Sequence, residues 1–421
     1  MNNRHQHNSS PVDQVKPSDQ RKNANRLPIT VWIMAGISLS VALGFGIVAP
    51  VLPTFAKQFG VSNFAASAVV AVFAGVRLLC SPLVGRWTVR FTPRNVLECG
   101  LLIVAASSAL AGLADNYWQL LVLRGAGGLG SAMFSVSGMT LLLGAVQPNQ
   151  RGRSVALYQG GFLVGAIAGP GLGGIVSAIS LRAPFFFYAG TLVLAAVVAL
   201  ALRRLPRNPN QSTTKAVTSL AGIMRNRDYQ AAMLANLCHG WTSHGLRSAL
   251  VPLLVAQVIY SNPETATRMT GVAMAVAAAV QAIAVWPAGQ IVDRLGRRAP
   301  ILFGSIASAI AFSLLPLCRS IVPLTVALAA YALASATLGS APAAVVGDVA
   351  GPQGGRAVAW FSMMADIGGL TAPLVGGLLA DSLGFRAALW SGCLFWLASA
   401  VLAWRMPDAA TQAKRERVNR G

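Results

Sequence analysis

Residues 85–94 read GRWTVRFTPR and residues 289–298 read GQIVDRLGRR. Both stretches carry Gly first, Arg sixth and Arg tenth, at an offset of 204 (289 − 85) in a chain of 421 residues. One echo of ten residues can arise by chance, so a duplicated chain must show others at nearly the same spacing. GAIAGPGLGG (165–174) is echoed at an offset of 203 by GGLTAPLVGG (368–377), pairing Gly165 with Gly368, Pro170 with Pro373, and Gly173 and Gly174 with Gly376 and Gly377. Arg153 matches Arg356 at 203, Pro50 matches Pro252 at 202, and Arg77 matches Gln281 at 204. The chain reads as two copies of one unit.

Composition says what that unit is. Hydrophobic residues make up 55% of the chain and charged residues 11%, with a mean hydropathy of +0.59, a combination foreign to soluble globular proteins of this length. Crossing the hydrocarbon takes about 20 apolar residues as a helix, whose backbone polar groups are satisfied internally. Twelve such spans are predicted: 29–52, 64–85, 95–114, 118–145, 154–178, 184–202, 229–255, 270–292, 300–318, 322–349, 357–380 and 387–405. The expected fold class is an all-α integral membrane protein of two pseudo-symmetric six-helix bundles, 29–202 and 229–405, joined by a basic, polar linker at 203–228. Residues 1–28 and 406–421 are polar tails, and the first has no apolar signal-peptide core.

A net charge of +21 could indicate nucleic acid, so the distribution of Lys and Arg matters. With a cytoplasmic amino terminus, 25 of the 33 fall in inside segments and five (Lys57, Arg182, Arg268, Arg319, Arg386) outside. Arg77, Arg124 and Arg247 lie within spans. This is the positive-inside pattern: a multi-pass protein of the plasma (inner) membrane with both termini cytoplasmic, basic toward anionic headgroups, with no nucleic-acid partner. The five cysteines (Cys80, Cys99, Cys238, Cys318, Cys393) lie in spans without ligand-like spacing and read as apolar packing residues, so no metal is expected. A parallel duplication of six-span units places a cavity between the halves near the bilayer midplane, where a solute can be exposed to alternate sides.

GQIVDRLGRR carries the pattern G-x-x-x-D-R-x-G-R-R, through Gly289, Asp293, Arg294, Gly296, Arg297 and Arg298. In this the chain resembles the major facilitator superfamily of transporters. Gly165, Gly169, Pro170, Gly173 and Gly174 resemble the G-x-x-x-G-P-x-x-G-G motif of its drug:proton antiporter branches, and LGFGIVAPVLP (43–53) is similar to the opening span of the twelve-helix members. Arg124 with Gly128 resembles that branch's R-x-x-Q-G element, with Gly127 where glutamine is usual. The resemblance implies that the loop aspartate latches against the neighbouring half when the transporter faces outward. Asp293 can do this near the start of the fifth span, whereas Val89 in the first copy cannot. Gly85, Arg90 and Arg94 keep the loop's frame and its charge, while Thr92 and Pro93 depart from the pattern, so closure is expected to be asymmetric.

Charged residues inside the bilayer are costly and usually face a cavity or a partner. Asp366 is the acid that lies well inside a span, and it reads either as a proton-carrying carboxylate or as the structural partner of an arginine. The resemblance implies a coupling role for Arg124. Arg77 and its repeat mate Gln281 suggest one inward-facing polar position, and His244 shares a helical face with Arg247, with His239 a turn away, as a second proton or substrate site. Phe45, Phe73, Tyr158, Gln159, Trp241, Tyr331 and Phe361 are candidates to line an apolar cavity. Pro170 bends its helix and the glycines at spacing four allow close helix approach, which serves either packing or a gate against leak.

The expected function is proton-coupled efflux of hydrophobic organic compounds or drugs by a monomer driven by the proton gradient, with no cofactor and no enzymatic activity. No G-x-x-x-x-G-K-[ST] element for ATP occurs in the sequence. The alternative is export of a specific metabolite such as a sugar, amino acid or siderophore. A membrane sensor is more remote, because a sensor would carry a sizeable soluble output domain.

Overall fold

A computed structural model describes residues 27–146, 151–200, 220–350 and 355–406. Among them twelve long helices follow one another: α1 (Ile29–Lys57, broken near Ala49), α2 (Asn63–Arg90), α3 (Pro93–Gly112), α4 (Tyr117–Gly144), α5 (Arg151–Ser177) and α6 (Ala183–Leu200) form the first half. α7 is a continuous rod of four segments, Arg227–His239, Gly240–Leu246, Arg247–Leu254 and Val255–Ile259. It opens the second half, with α8 (Pro263–Leu295), α9 (Arg298–Leu314), α10 (Ile321–Ala350), α11 (Gly355–Ser382) and α12 (Gly384–Trp404). Eleven of the helices are long and apolar enough to cross a membrane. α7 is the twelfth rod, interrupted by two wide π-helical turns where the sequence predicts one unbroken helix.

Several helices overrun their predicted ends. α2 continues from 85 to Arg90 and α8 from 292 to Leu295, because arginines at positions 86, 90 and 294 extend beyond the apolar stretch without breaking the helix. The two echoing loops then turn differently. Gly296 closes α8 at φ 76° and ψ −170°, a region open essentially to glycine alone. At the equivalent place Thr92 is extended, caps α3 by accepting a hydrogen bond from the Asn95 amide at 3.5 Å, and is followed by Pro93 in the first helical turn. The side chains of Val89, Asp293, Arg153 and Arg356, and with them the expected loop latch, lie outside the described residues, as does most of the linker.

Within each half, helices approach through glycine. α5 lies along α1: a side-chain carbon at Gly169 would stand 2.7 Å from the Gly46 Cα, and one at Gly165 2.6 Å from the Leu43 amide. In the second half a carbon at Gly368 would meet the Trp241 amide of α7 at 2.5 Å, and Gly376 packs on Leu246 and Leu250. Between apolar helices in lipid no hydrophobic force favours association, so close backbone contact must supply it.

The halves meet along α2 against α11 and α5 against α8, two contacts that exchange under the repeat. Here too small residues carry the approach. Gly174 of α5 lies against Gly271 and the Arg268 carbonyl of α8, with 2.9 Å from its virtual Cβ to that oxygen, and Gly377 of α11 against Phe64 of α2, at 2.7 Å to its Cα. Both contacts lie near the face opposite the chain termini. Prolines interrupt both pairs at equivalent places, Pro82 and Pro287 in α2 and α8, Pro170 and Pro373 in α5 and α11.

Two expectations follow. Gly169→Val, which forces α5 off the α1 backbone, lowers the thermal stability of the purified protein in detergent, whereas Gly160→Ala, with open space around it, leaves it unchanged. Gly296→Ala costs about 1–3 kcal/mol of backbone strain. Thr92→Ala costs about 1 kcal/mol as a lost cap, so the first-half loop tolerates its substitution better than the second-half loop does when both are measured by thermal unfolding.

Candidate functional site

The centre of the interface is an ion pair between the halves. Arg77 of α2 donates from Nη2 to Oδ1 of Asp366 on α11, and the two side chains remain 34% and 29% exposed. Both residues stand out in the sequence as isolated charges; their meeting across 289 positions does not. Gly75, half a turn from Arg77, receives Leu370, one turn beyond Asp366, so the helices are held in register at this level.

From this pair to the face opposite the termini, the halves are sealed. Asp381 at the end of α11 accepts hydrogen bonds from the first two amides of α2, Asn63 to Oδ1 and Phe64 to Oδ2, each 2.8 Å. A carboxylate at a helix amino terminus satisfies orphan donors and meets the positive end of the dipole. Gln257 of α7 adds a 2.6 Å bond from Nε2 to the Asn63 Oδ1. Sequence reasoning missed this clasp. The available signals were Ser62 and Asn63 opening a helix and an isolated acid closing another, but nothing local joins them.

The wide turn Gly240–Leu246 of α7 packs on α11 beside Asp366. Gly240 lies against Ala365, where a Cβ would stand 2.6 Å from the Ala365 Cα, and Gly245 lies against Ala372 and Pro373. One face of the turn is anchored in the second half. The hydroxyls of Thr242 and Ser243 share the Tyr331 hydroxyl of α10 at 2.7 and 2.8 Å, and Trp241 stacks on Phe395 of α12 with ring centroids 4.2 Å apart. The turn also aligns the histidines. In an α-helix, residues five apart diverge by roughly 140° at 3.6 residues per turn, but the i→i+5 pattern stacks them, and the His239 and His244 rings meet edge to face at 5.6 Å. His239 is enclosed with Nδ1 unpartnered among the described residues, while His244 is exposed, against Gly369 and within electrostatic reach of Arg247 and Arg77.

In the first half, Arg124 of α4 is 4% exposed, its guanidinium carbon is 4.5 Å from the centre of the Phe73 ring, and its Nε has no hydrogen-bond partner among the described residues. Gly127, where the resembling pattern has glutamine, makes room for that ring: a Cβ there would lie 3.4 Å from it and 2.9 Å from the Ser107 hydroxyl. Phe45 of α1 is 41% exposed and tilts against Phe73 at 5.8 Å, so the aromatic pair screens Arg124.

The remaining candidates are placed as follows. Tyr158 is buried, its ring 6.5 Å from Phe134, and Trp241 and Tyr331 face the interior of the second half. Gln281, Phe361 and Arg247 are half-buried and Gln159 is exposed. In the α5 motif Gly165, Gly169 and Gly173 face α1, Pro170 abuts Gly46 and Gly271, and Gly174 faces α8, so the motif joins packing within a half to the seal between halves. In the loops, Arg297 donates to the Asp348 carboxylate at 3.0 Å, Arg298 lies 5.7 Å from the Trp404 ring centre, Arg90 lies over Phe91 at 6.0 Å, Arg94 is half-buried and Arg294 exposed, and Gly85 and Gly289 have open space around them.

Two six-helix bundles that meet at a central ion pair and are clasped at one face have the architecture of a membrane transporter. The chain belongs to the Major Facilitator Superfamily, whose sequence profile matches residues 34–260 and 232–421. Multidrug resistance protein 1 of Bacillus subtilis is 29% identical over 363 residues, covering 84% of this chain and 90% of the relative. Multidrug resistance protein 2 of the same organism is 26% identical over 84% and 89%. Quinolone resistance protein NorA of Staphylococcus aureus is 28% identical over 43% of this chain and 46% of its own length. Among solved structures, a bacterial homolog of the human lysosomal transporter Spinster, inward-facing and occupied, superposes with a TM-score of 0.76 at 15% identity, over 89% of this chain and 96% of that one.

Asp381→Ala removes the clasp from the α2 amino terminus and is expected to raise the labelling rate of a cysteine placed at position 370 by membrane-impermeant reagents from the far side. An unchanged rate would show that glycine packing alone closes that face.

Proposed function

We propose that this protein is a secondary exporter of the plasma membrane, with both termini cytoplasmic, that moves protons inward as hydrophobic organic compounds or drugs leave, by alternating access. The observation that carries this is the Arg77–Asp366 pair, the one place among the described residues where a titratable carboxylate in the middle of a span bridges the two halves. The relatives named for multidrug and quinolone resistance support the same reading.

The geometry supplies a coupling logic. With the far side closed, Arg77 engages the Asp366 carboxylate. Opening that side separates α2 from α11 and leaves the carboxylate without its cation, which favours uptake of a proton. Asp366 then takes a proton from outside, and renewed approach of Arg77 displaces it toward the cytoplasm. Gly174 and Gly377 let the seal close without a gap, which limits leak. Each charge crossing 100 mV gains about 2.3 kcal/mol, and each pH unit adds about 1.4 kcal/mol.

Asp366→Asn is expected to abolish proton release from acidified everted vesicles on addition of substrate while retaining exchange of labelled substrate across the membrane. Proton-driven transport at the wild-type rate in that variant removes Asp366 from the mechanism.

A further inference from the structure

The middle of the bilayer holds more positive than negative charge. Of the chain's twelve acidic residues only Asp366 lies in the central part of a span, and it is already engaged by Arg77. Arg124 and Arg247 have no carboxylate within ion-pair distance among the described residues. Arg124 is enclosed beneath Phe73 and acts through its field. Arg247 is half-buried on α7, one turn from the exposed His244, which lies within electrostatic reach of both Arg247 and Arg77. An arginine is charged under all physiological conditions and presents a planar fork of donors matched to carboxylate geometry. Two formal positive charges are therefore uncompensated inside a low-dielectric region, where charge selection is strong.

We propose that the substrate is an amphipathic organic anion, bound by its carboxylate-type group between Arg247 and His244 of α7 and Arg77 of α2, with its apolar body along the exposed Phe45. A cation placed there would add to an unbalanced positive field, and a neutral molecule would leave it as it is; an anion relieves it. The assignment rests on the proposed transport role of the space between the halves and names the chemistry of what fills it. It also fits the proton cycle, because substrate and Asp366 compete for Arg77. A bound anion frees Asp366, which accepts a proton on the outside as the anion leaves; once the site faces inward again, Arg77 recaptures the carboxylate and the proton leaves to the cytoplasm. Exporting a monoanion against one incoming proton moves two charges in the favourable direction.

The test uses the purified full chain and ligands sharing one body but differing in head group: a naphthoate, its primary amide and the corresponding naphthylmethylammonium, with the same series on an alkyl body. Binding is read near neutral pH by equilibrium dialysis and by ligand-induced thermal shift. The carboxylates are expected to bind roughly tenfold or more tightly than the amides, with the ammonium compounds weakest. Arg247→Gln should bring carboxylate binding down to that of the amide without changing the amide, and Arg247→Lys should keep most of the preference; the melting temperature of each unliganded variant reports that it folds. Carboxylates that bind no better than ammonium compounds, or a preference that survives Arg247→Gln, overturn the assignment. Proton-coupled export confined to the ammonium series would overturn it and leave the exporter reading standing. Anion-selective binding without proton-coupled movement would do the reverse.

Discussion

Lipid tails are as apolar as leucine, so a helix in a bilayer has nothing to gain from turning an oily face toward its neighbour. What holds this protein together is the approach of backbone to backbone where side chains are absent. Gly169 on Gly46, Gly368 on Trp241, Gly174 on Gly271 and Gly377 on the start of α2 are four instances of one solution. The first two lie inside the halves and the last two between them. The same device thus builds rigid bodies and the surface on which they close, and the difference lies in which face of α5 or α11 the glycine occupies.

Polar groups are placed against this background as exceptions. Asp366 and Arg77 satisfy one another across the interface, and Asp381 is satisfied by main-chain donors. The Tyr331 hydroxyl is held by Thr242 and Ser243. Arg124 and Arg247 lack such a carboxylate partner among the described residues, and this departure from charge balance distinguishes the central region from the remainder of the bundle. The wide turn in α7 belongs to the same region: it brings two histidines together and lets the helix follow α11 closely.

Much of the architecture was legible because bilayer thickness and duplication act on sequence directly. Span number, pairing of the halves and the α5 and α11 glycine faces follow from apolar length and from repeats at a nearly constant offset. The loop echo was legible as duplication, but not the way Thr92 and Pro93 replace a glycine turn by a cap. Asp366, Arg77 and His244 were identifiable as misplaced charges or titratable groups, since a polar residue in hydrocarbon advertises itself. Their partners were not identifiable. Pairing of residues hundreds of positions apart depends on helix rotation, and a one-residue wide turn changes that rotation for everything after it. Trp241 and Tyr158, candidates as cavity aromatics, instead lie in packed interiors, because an aromatic in a span carries no mark of the direction it faces.

The clasp at the far side has an uneven inheritance. Its receiving half consists of the amides of residues 63 and 64, which every amino acid except proline provides. Its giving half is a single carboxylate. Drift at the two receiving positions leaves those donors in place, though it can remove the bond from Gln257 to the Asn63 side chain, whereas one codon, that of Asp381, supplies both acceptors of the main-chain bonds. Natural variation in how firmly α11 holds the start of α2 can therefore accumulate at one position without disturbing the helices it joins.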